Sequence, residues 1–456
     1  MSPITVTALI IFAVTYILMM AFQKIRPHIA VCSALLFIIL GLIAAFRPTL
    51  FGDNFFSLES SQFSFGFTEA LSQIDWNVIM MIAGTMGTVS FFIASQMPQL
   101  MSDVLIAKMP NVKWVVIALS LFAGIVSAFV DNVATVLMIA PVALAFCKKL
   151  DISPVPSIIC IAVSSNLQGA ATLVGDTTSI LLAKSANLDF SDFFIDEGKP
   201  GMFWVVEAGA VASAIIIWFM FRKENGKITF TSKTVVKDKL PTVLLAGTVV
   251  TLIAVSFIPY KESAAPGQLY KPELTNGFIC VGFFLIGVIR ELARKNFKIV
   301  KEAVKEIDYY TIVLLAGLFI VIGGIKNAGV IDLIGKAIAK LGAGSPFIVF
   351  SVILWISVLL SAFIDNIPYT ATMLSIVPVI AADIGIEPKL LYYGLLCGAT
   401  LGGNLTPIGA SANITGIGIL RKEGYSVKSG TFMKYGVPFT LAAVITGYIL
   451  LWLIWR

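Results

Sequence analysis

The sequence predicts an all-helical polytopic membrane protein built as an inverted repeat. Each half carries five spans and one re-entrant hairpin, and one helix in each half is interrupted. Three observations predict this: the hydropathy, the polar breaks inside the apolar runs, and a motif set that occurs twice. Of the 456 residues, 58% are hydrophobic and 13% charged, and the mean hydropathy is +0.94. A soluble domain carries about 25% charged residues. The composition therefore excludes a soluble enzyme, a disordered chain and a nucleic-acid-binding domain, and makes the lipid bilayer the first partner. The net charge of +6 then reports on loops and topology and is no footprint for nucleic acid. Cys32, Cys147, Cys160, Cys280 and Cys397 lie in or beside apolar runs without CxxC or Cys/His spacing, which indicates neither a disulfide scaffold nor a zinc site. His28 is the single histidine and cannot build a His-based metal site. The opening stretch, MSPITVTALIIFAVTYILMMAF, has no basic n-region and no small-residue cleavage site, so it reads as a span.

A spanning helix needs about 20 apolar residues. That length is met or approached near 3–22, 29–46, 76–95, 155–184, 202–221, 240–258, 277–289, 309–325, 389–420 and 435–455. Two more apolar stretches, 114–147 and 346–382, exceed one span and carry Asp131-Asn132 and Asp365-Asn366 at their middles. Each reads as a hairpin that enters the membrane and returns, the alternative being two full spans with a short loop. The intervening segments 23–28, 96–113, 148–154, 222–239, 290–308 and 421–434 hold 2, 2, 2, 6, 6 and 4 Lys/Arg, 22 of the 32. The positive-inside rule puts these inside, the acidic segments 47–75 and 185–200 outside, and both termini outside. The expected location is a bacterial-type inner membrane. Counting each hairpin as two spans leaves every other loop on the same side, so charge fixes the orientation and not the hairpins.

The duplication is read directly from the residues. SAFVDN at 127–132 returns as SAFIDN at 361–366, a spacing of 234. ATVLMIAPVALA at 134–145 returns as ATMLSIVPVIAA at 371–382, so the second copy gains three residues at its break, Pro368-Tyr369-Thr370 or neighbours. The spacing then reverts to 234: Gly169, Thr172 and Gly175 match Gly403, Thr406 and Gly409, a G-x-x-T-x-x-G in each copy. Five spans per half is an odd number, which inverts the second half. The division is 1–221 for the first repeat, with hairpin 114–147 and broken helix 155–184. A cytoplasmic linker follows at 222–239. The second repeat is 240–456, with hairpin 346–382 and broken helix 389–420. Glycines, Pro407 and hydroxyls interrupt 164–179 and 398–413. Backbone groups freed at membrane depth must be buried in protein or line a cavity. The plainer alternative is two small-residue helix-packing faces.

Lys and Arg fall only in loops or at span ends, and 22 of the 26 acids do likewise. Asp131, Asp176, Glu207 and Asp365 remain, so the sequence predicts a membrane interior with four acids and no base. A charge at the bilayer centre costs about 2.5–3.5 kcal/mol on insertion scales. Protons, metal cations, helix N-termini or hydroxyls are the expected partners. Asp131 and Asp365, at the tips, suit cation or proton binding, and they equally suit N-capping of the helix that follows. Asp176 raises the same pair of readings, and Glu207, near a span end, can face water or reach the interface.

SAFVDNVATVLMIAPV followed by SNLQGAATLVGDTTS, and SAFIDNIPYTATM followed by GATLGGNLTPIGASANITGIG, resemble the ion transporter superfamily along nearly the whole chain. This superfamily holds arsenite permeases, a type of sodium/proton antiporter, citrate and divalent-anion symporters, and the P-protein-like branch, which DNIPYTATM and GASAN match best. The resemblance implies an elevator-type transporter, usually homodimeric, with one site per protomer. It carries the family's site onto Asp131, Asn132, Thr135, Asn166, Gly169, Thr172, Gly175, Asp176 and Thr177 in the first half. In the second it carries it onto Asp365, Asn366, Thr370, Gly403, Asn404, Thr406, Gly409, Ser411 and Asn413. Where the carboxylate symporters have Ser-Asn at each tip this chain has Asp-Asn, which adds negative charge and makes Asp131, Asn132, Asp365 and Asn366 the candidates for sodium.

The function expected is secondary transport of a small ion or solute coupled to sodium or protons, with sodium/proton antiport the most concrete form. Sodium-coupled citrate or dicarboxylate uptake and arsenite or antimonite efflux are the alternatives. Neither HExxH, a Ser-His pairing nor a phosphate loop occurs, so no enzyme is expected, and no cofactor beyond the coupling ion. A transport unit of 114–184 and 346–420 is expected to move against a dimeric scaffold, with 96–113 and 328–344 as in-plane arms. In the second arm Lys336 and Lys340 mark one face, and Ile331, Ile334, Ile338 and Leu341 the other.

Overall fold

Asp131 and Asp365 mark the points where two long apolar stretches are cut, and a computed structural model shows what each cut builds. It describes residues 2–50, 63, 65–226, 234–260, 269–342 and 344–456. Parts of the acidic segment 47–75 and of the linker 222–239 therefore lie outside the described residues. Asp131 caps Asn132–Lys149: its Oδ1 accepts from the amides of Val133 at 3.0 Å and Ala134 at 3.1 Å. Asp365 caps Asn366–Ile384 through the amide of Ile367 at 3.1 Å. The cap supplies acceptors for amides that a helix start leaves without partners. Each aspartate thus joins two helices, Val112–Ser127 with Asn132–Lys149 and Pro346–Ser361 with Asn366–Ile384.

The broken helices are Val155–Gly169 with Thr177–Ala186, and Lys389–Gly402 with Ser411–Lys422. The paired helices of hairpins and broken helices start 234 residues apart. Within each half the first part of the broken helix packs on the first arm of the hairpin. Between halves the pieces interlock. Thr177–Ala186 packs on Asn366–Ile384, and Ser411–Lys422 packs on Asn132–Lys149.

Nine helices among the described residues are long and apolar enough to cross a membrane. Ten spans were expected, and the difference has simple causes. The stretches 155–184 and 389–420 are each two helices, and Leu240–Ser256 is short at 17 residues. Conversely, Asn132–Lys149 and Asn366–Ile384, read as hairpin arms, are long enough by themselves. An 18-residue helix rises about 27 Å, close to the hydrocarbon thickness. Around the interlocked core, Trp76–Ala94 packs on Thr275–Ala293, Arg26–Leu50 on Tyr309–Asn327, and Met202–Met220 on Ser429–Trp455. The last of these also packs on both broken helices, so it belongs with them in contact terms.

The arms expected at 96–113 and 328–344 are Met97–Ala107 and Val330–Leu341. In the second, Lys336 and Lys340 are exposed, Ile331 is buried, and Ile334 and Ile338 are half-buried. Leu341 departs from that face and is exposed.

The G-x-x-T-x-x-G motif acts as a brace in both copies. Thr172 donates its hydroxyl to the Ala128 carbonyl, and Thr406 donates to that of Ala362. A Cβ on Gly175 would stand 2.5 Å from the Gly169 carbonyl oxygen and 2.7 Å from that of Ser127. A Cβ on Gly409 would stand 2.6 Å from Gly403 O and 2.9 Å from Ser361 O. The break can therefore lie against the end of the hairpin arm only where the side chain is hydrogen. Gly175→Ala and Gly409→Ala should each cost about 1–3 kcal/mol by overpacking against backbone. Thermal unfolding in detergent should show both variants destabilised and Gly418→Ala, which has open space at its Cβ, unchanged. A wild-type melting temperature for Gly175→Ala would remove the brace.

Candidate ion-binding site

Capping uses one oxygen of Asp131, and the other side of its tip borders a small cavity. Asp131, Asp176, Thr177, Gly175 and Thr85 line this space, closed by apolar residues that include Phe129, Val174 and Ile180. Its volume is about 20 Å³, enough for one water or a bare ion and too small for a tricarboxylate. Asp176 is buried at the N-cap position of Thr177–Ala186, and Thr178 donates to its Oδ2 at 2.6 Å. Two carboxylates thus share one small space, and among the described residues no basic side chain lines it. Hard oxygen donors of this kind suit Na⁺, and a proton meets the same need for charge compensation.

Behind the tip runs a chain of amides that joins the two halves. Asn132 Nδ2 donates to Asn166 Oδ1 at 3.0 Å. Asn166 Nδ2 donates to the Thr400 carbonyl at 2.8 Å and to Asn404 Oδ1 at 3.1 Å. Asn404 Nδ2 returns to the Val163 carbonyl at 2.9 Å. Ser165 donates to the Asn132 carbonyl at 3.0 Å, and the hydroxyls of Thr178 and Thr400 meet at 2.9 Å. All these groups are buried, so the network sets where the tip stands relative to both breaks.

The second tip is built differently. Arg26 Nη1 lies 2.6 Å from Asp365 Oδ2, and Arg26 Nε donates to the Met19 carbonyl at 3.0 Å. This corrects the expectation of an interior without a base. Arg26 stands at the start of Arg26–Leu50, a span end in the sequence, yet its side chain is buried and reaches the hairpin tip. Next to it, the Tyr16 hydroxyl donates to the Pro368 carbonyl at 2.7 Å and meets Thr372 Oγ1. Pro368 is among the residues gained by the second copy.

Of the other expected residues, Thr135 is buried with its amide on the Asp131 carbonyl at 2.9 Å. Asn413 donates to the Gly403 and Thr406 carbonyls, both at 3.1 Å, as part of the second brace. Asn366 and Thr370 are buried in the first turn of their helix. Gly169, Thr172, Gly175, Gly403, Thr406 and Gly409 support the tips, Gly175 alone of them also lining the cavity. Ser411 is exposed. Glu207 is half-buried and accepts from Gln168 Nε2 of the first broken helix at 2.8 Å. Sequence reasoning missed Arg26, Tyr16, Thr85 and Thr178. Thr85 left a signal as a hydroxyl inside an apolar span, whereas Arg26 and Tyr16 become visible only when the second tip is packed against the N-terminal helices.

Comparison with known proteins bears on what this arrangement serves. The family model described as citrate transporter (CitMHS) matches residues 16–398. An uncharacterized transporter of Mycobacterium tuberculosis is 28% identical over 98% of both chains. The human P protein is 26% identical over 73% of this chain and 48% of its own length. Among solved structures, the YdaH transporter of Alcanivorax borkumensis superposes with a TM-score of 0.58 at 15% identity, covering 92% of this chain and 97% of that one. That last likeness is one of fold.

Asn166 is the hub of the amide chain. Asn166→Ala leaves the Asn132 amide, the Asn404 oxygen and the Thr400 carbonyl short of partners, at about 1–3 kcal/mol for each group left unsatisfied. Ser411→Ala, at an exposed position, should be close to neutral. Denaturation in detergent that ranks the two alike would show that the amide chain does not hold the core.

Proposed function

We propose that this chain, which belongs to the CitMHS citrate transporter family, is a cation-coupled secondary transporter whose coupling ion sits between Asp131 and Asp176. Membership makes it a membrane transporter and not an enzyme. The observation that carries the cation reading is the cavity of about 20 Å³ lined by two carboxylates and two threonines, with no basic side chain among the described residues that line it. An empty pair of acids in such a space is costly, because desolvation disfavours both charged forms and each repels the other. Sodium or protons relieve that cost in alternation, and sodium/proton antiport is the simplest transport cycle that uses both.

A second reading, cation-coupled carboxylate uptake, is favoured by the family and by another cavity. This one is about 380 Å³ and includes Lys184, Lys271, Asn77, Asn276 and Tyr260 in its lining. It shares Ile180 with the acid cavity, so an anion held there would stand near the ion. Arsenite efflux draws less support, since neither Cys160 nor Cys397 lines the acid cavity.

The cycle proposed is alternating access within an inverted repeat, by movement of the hairpins and broken helices against the surrounding spans, in a homodimer with both termini outside. The duplicated braces support a rigid moving unit, and the packing of Ser429–Trp455 on both broken helices supports including that helix in it.

In proteoliposomes, Asp131→Asn and Asp176→Asn should each abolish flux driven by a sodium or pH gradient while the protein stays folded. Asn keeps the shape and removes the charge. Retained coupling in both variants would sink the cation site. A second measurement addresses the movement. With Cys32 replaced by serine, a bifunctional maleimide bridging cysteines placed at Tyr16 and Thr372 should stop flux. Flux that continues after complete bridging would mean that the hairpin does not travel past the N-terminal helix.

A further inference from the structure

The duplicated frame allows a position-by-position comparison of the two tips. Asp131 and Asp365 are equivalent at the 234-residue spacing, and both cap a helix. The surroundings diverge at three places. Asp176, the second acid at the first tip, corresponds to Ala410 in the second copy. Thr85, the hydroxyl that lines the first cavity, corresponds to Leu318, since the helices that carry them are capped by Asp75 and Asp308, 233 residues apart. Arg26 opens the helix that packs on Tyr309–Asn327, whereas the matching helix that packs on Trp76–Ala94, Thr275–Ala293, opens on Thr-Asn-Gly-Phe with no basic residue. The second tip therefore lacks an acid and a hydroxyl that the first has, and holds a guanidinium 2.6 Å from its remaining carboxylate. Arg26 is held for that contact. Its side chain is 9% exposed, and its Nε is fixed on the Met19 carbonyl.

We infer that Arg26 is the built-in counter-cation of the second tip, so that each protomer binds one exchangeable cation, at Asp131 and Asp176, and none at Asp365. The inference rests on the cation reading of the first tip and adds the stoichiometry to it. A guanidinium beside the carboxylate supplies by covalent attachment the charge that the first tip must take from solution. Arg26 is a positioning and specificity-determining residue here: it sets how many ions the protein accepts and has no part in holding the ion at the first tip.

The test counts ions. Equilibrium binding of radioactive sodium to purified protein gives sodium per protomer. Arg26→Gln leaves Asp365 uncompensated and should raise the count by one. Arg26→Gln with Asp365→Asn should return it to the wild-type value, and Arg26→Lys, which keeps the charge, should not change it. Where Arg26→Gln does not fold, Asp365→Asn alone decides: the count is expected to stay at the wild-type value, and the loss of one sodium would overturn the proposal. Equal counts in the wild type and in folded Arg26→Gln overturn it as well, whether that shared count is zero or more. The proposal about the first tip fails separately, through an unchanged count in Asp131→Asn.

Discussion

Backbone groups freed inside a membrane must find partners within the protein, and the rest of this structure follows from how two helix breaks meet that demand. Each break is closed against the end of a hairpin arm by a threonine hydroxyl on a carbonyl and by a glycine with no room for a Cβ. The tip that results is rigid, and its capping aspartate is fixed by amide bonds. Function at the tip depends on this closure: a carboxylate can serve an ion only if its other oxygen is held in place.

The closure is duplicated and the chemistry is not. The same brace supports an open pair of acids at the first tip and an Arg–Asp pair at the second. The amide chain through Asn132, Asn166 and Asn404 is also one-sided, since the position equivalent to Asn166 is Thr400 and contributes a carbonyl. On the proposed cation reading, a repeated frame with unequal tips leaves one exchange point and one fixed anchor, where two equal tips would demand two ions.

Much of this was legible in the sequence, for a physical reason. Breaks in apolar helices require glycine, proline and hydroxyls, and these are conspicuous against 58% hydrophobic residues. SAFVDN and SAFIDN therefore located both tips, and G-x-x-T-x-x-G located both breaks. The three-residue gain of the second copy marked the place where Pro368 takes the Tyr16 hydroxyl, though not what it meets. The motif's role as a brace was not legible, because it depends on distances between backbone atoms. Arg26 was hidden by the rule that charges at span ends face water. A guanidinium on a long side chain can stand at a helix end and still reach a buried carboxylate.

That reach bears on any movement of the hairpins. Arg26 and Tyr16 belong to the two N-terminal helices, while Asp365, Pro368 and Thr372 belong to the second hairpin. Displacing one set from the other separates an ion pair whose Arg26 side chain is buried and whose Asp365 side chain is partly exposed, which leaves the guanidinium without its partner. Two hydroxyl contacts of Tyr16 are lost at the same step. In the proposed movement that cost falls on the barrier, and the arrangement described here is then one end of the cycle. At the other end Asp365 must find another partner or reach water. The first tip carries no such tie: among the described residues no basic side chain lines its cavity. In the proposed cycle the anchor acts on the second hairpin and the exchange on the first. The amide chain ties the first tip to the second broken helix, through Asn132 to Asn166 and Asn166 to Asn404.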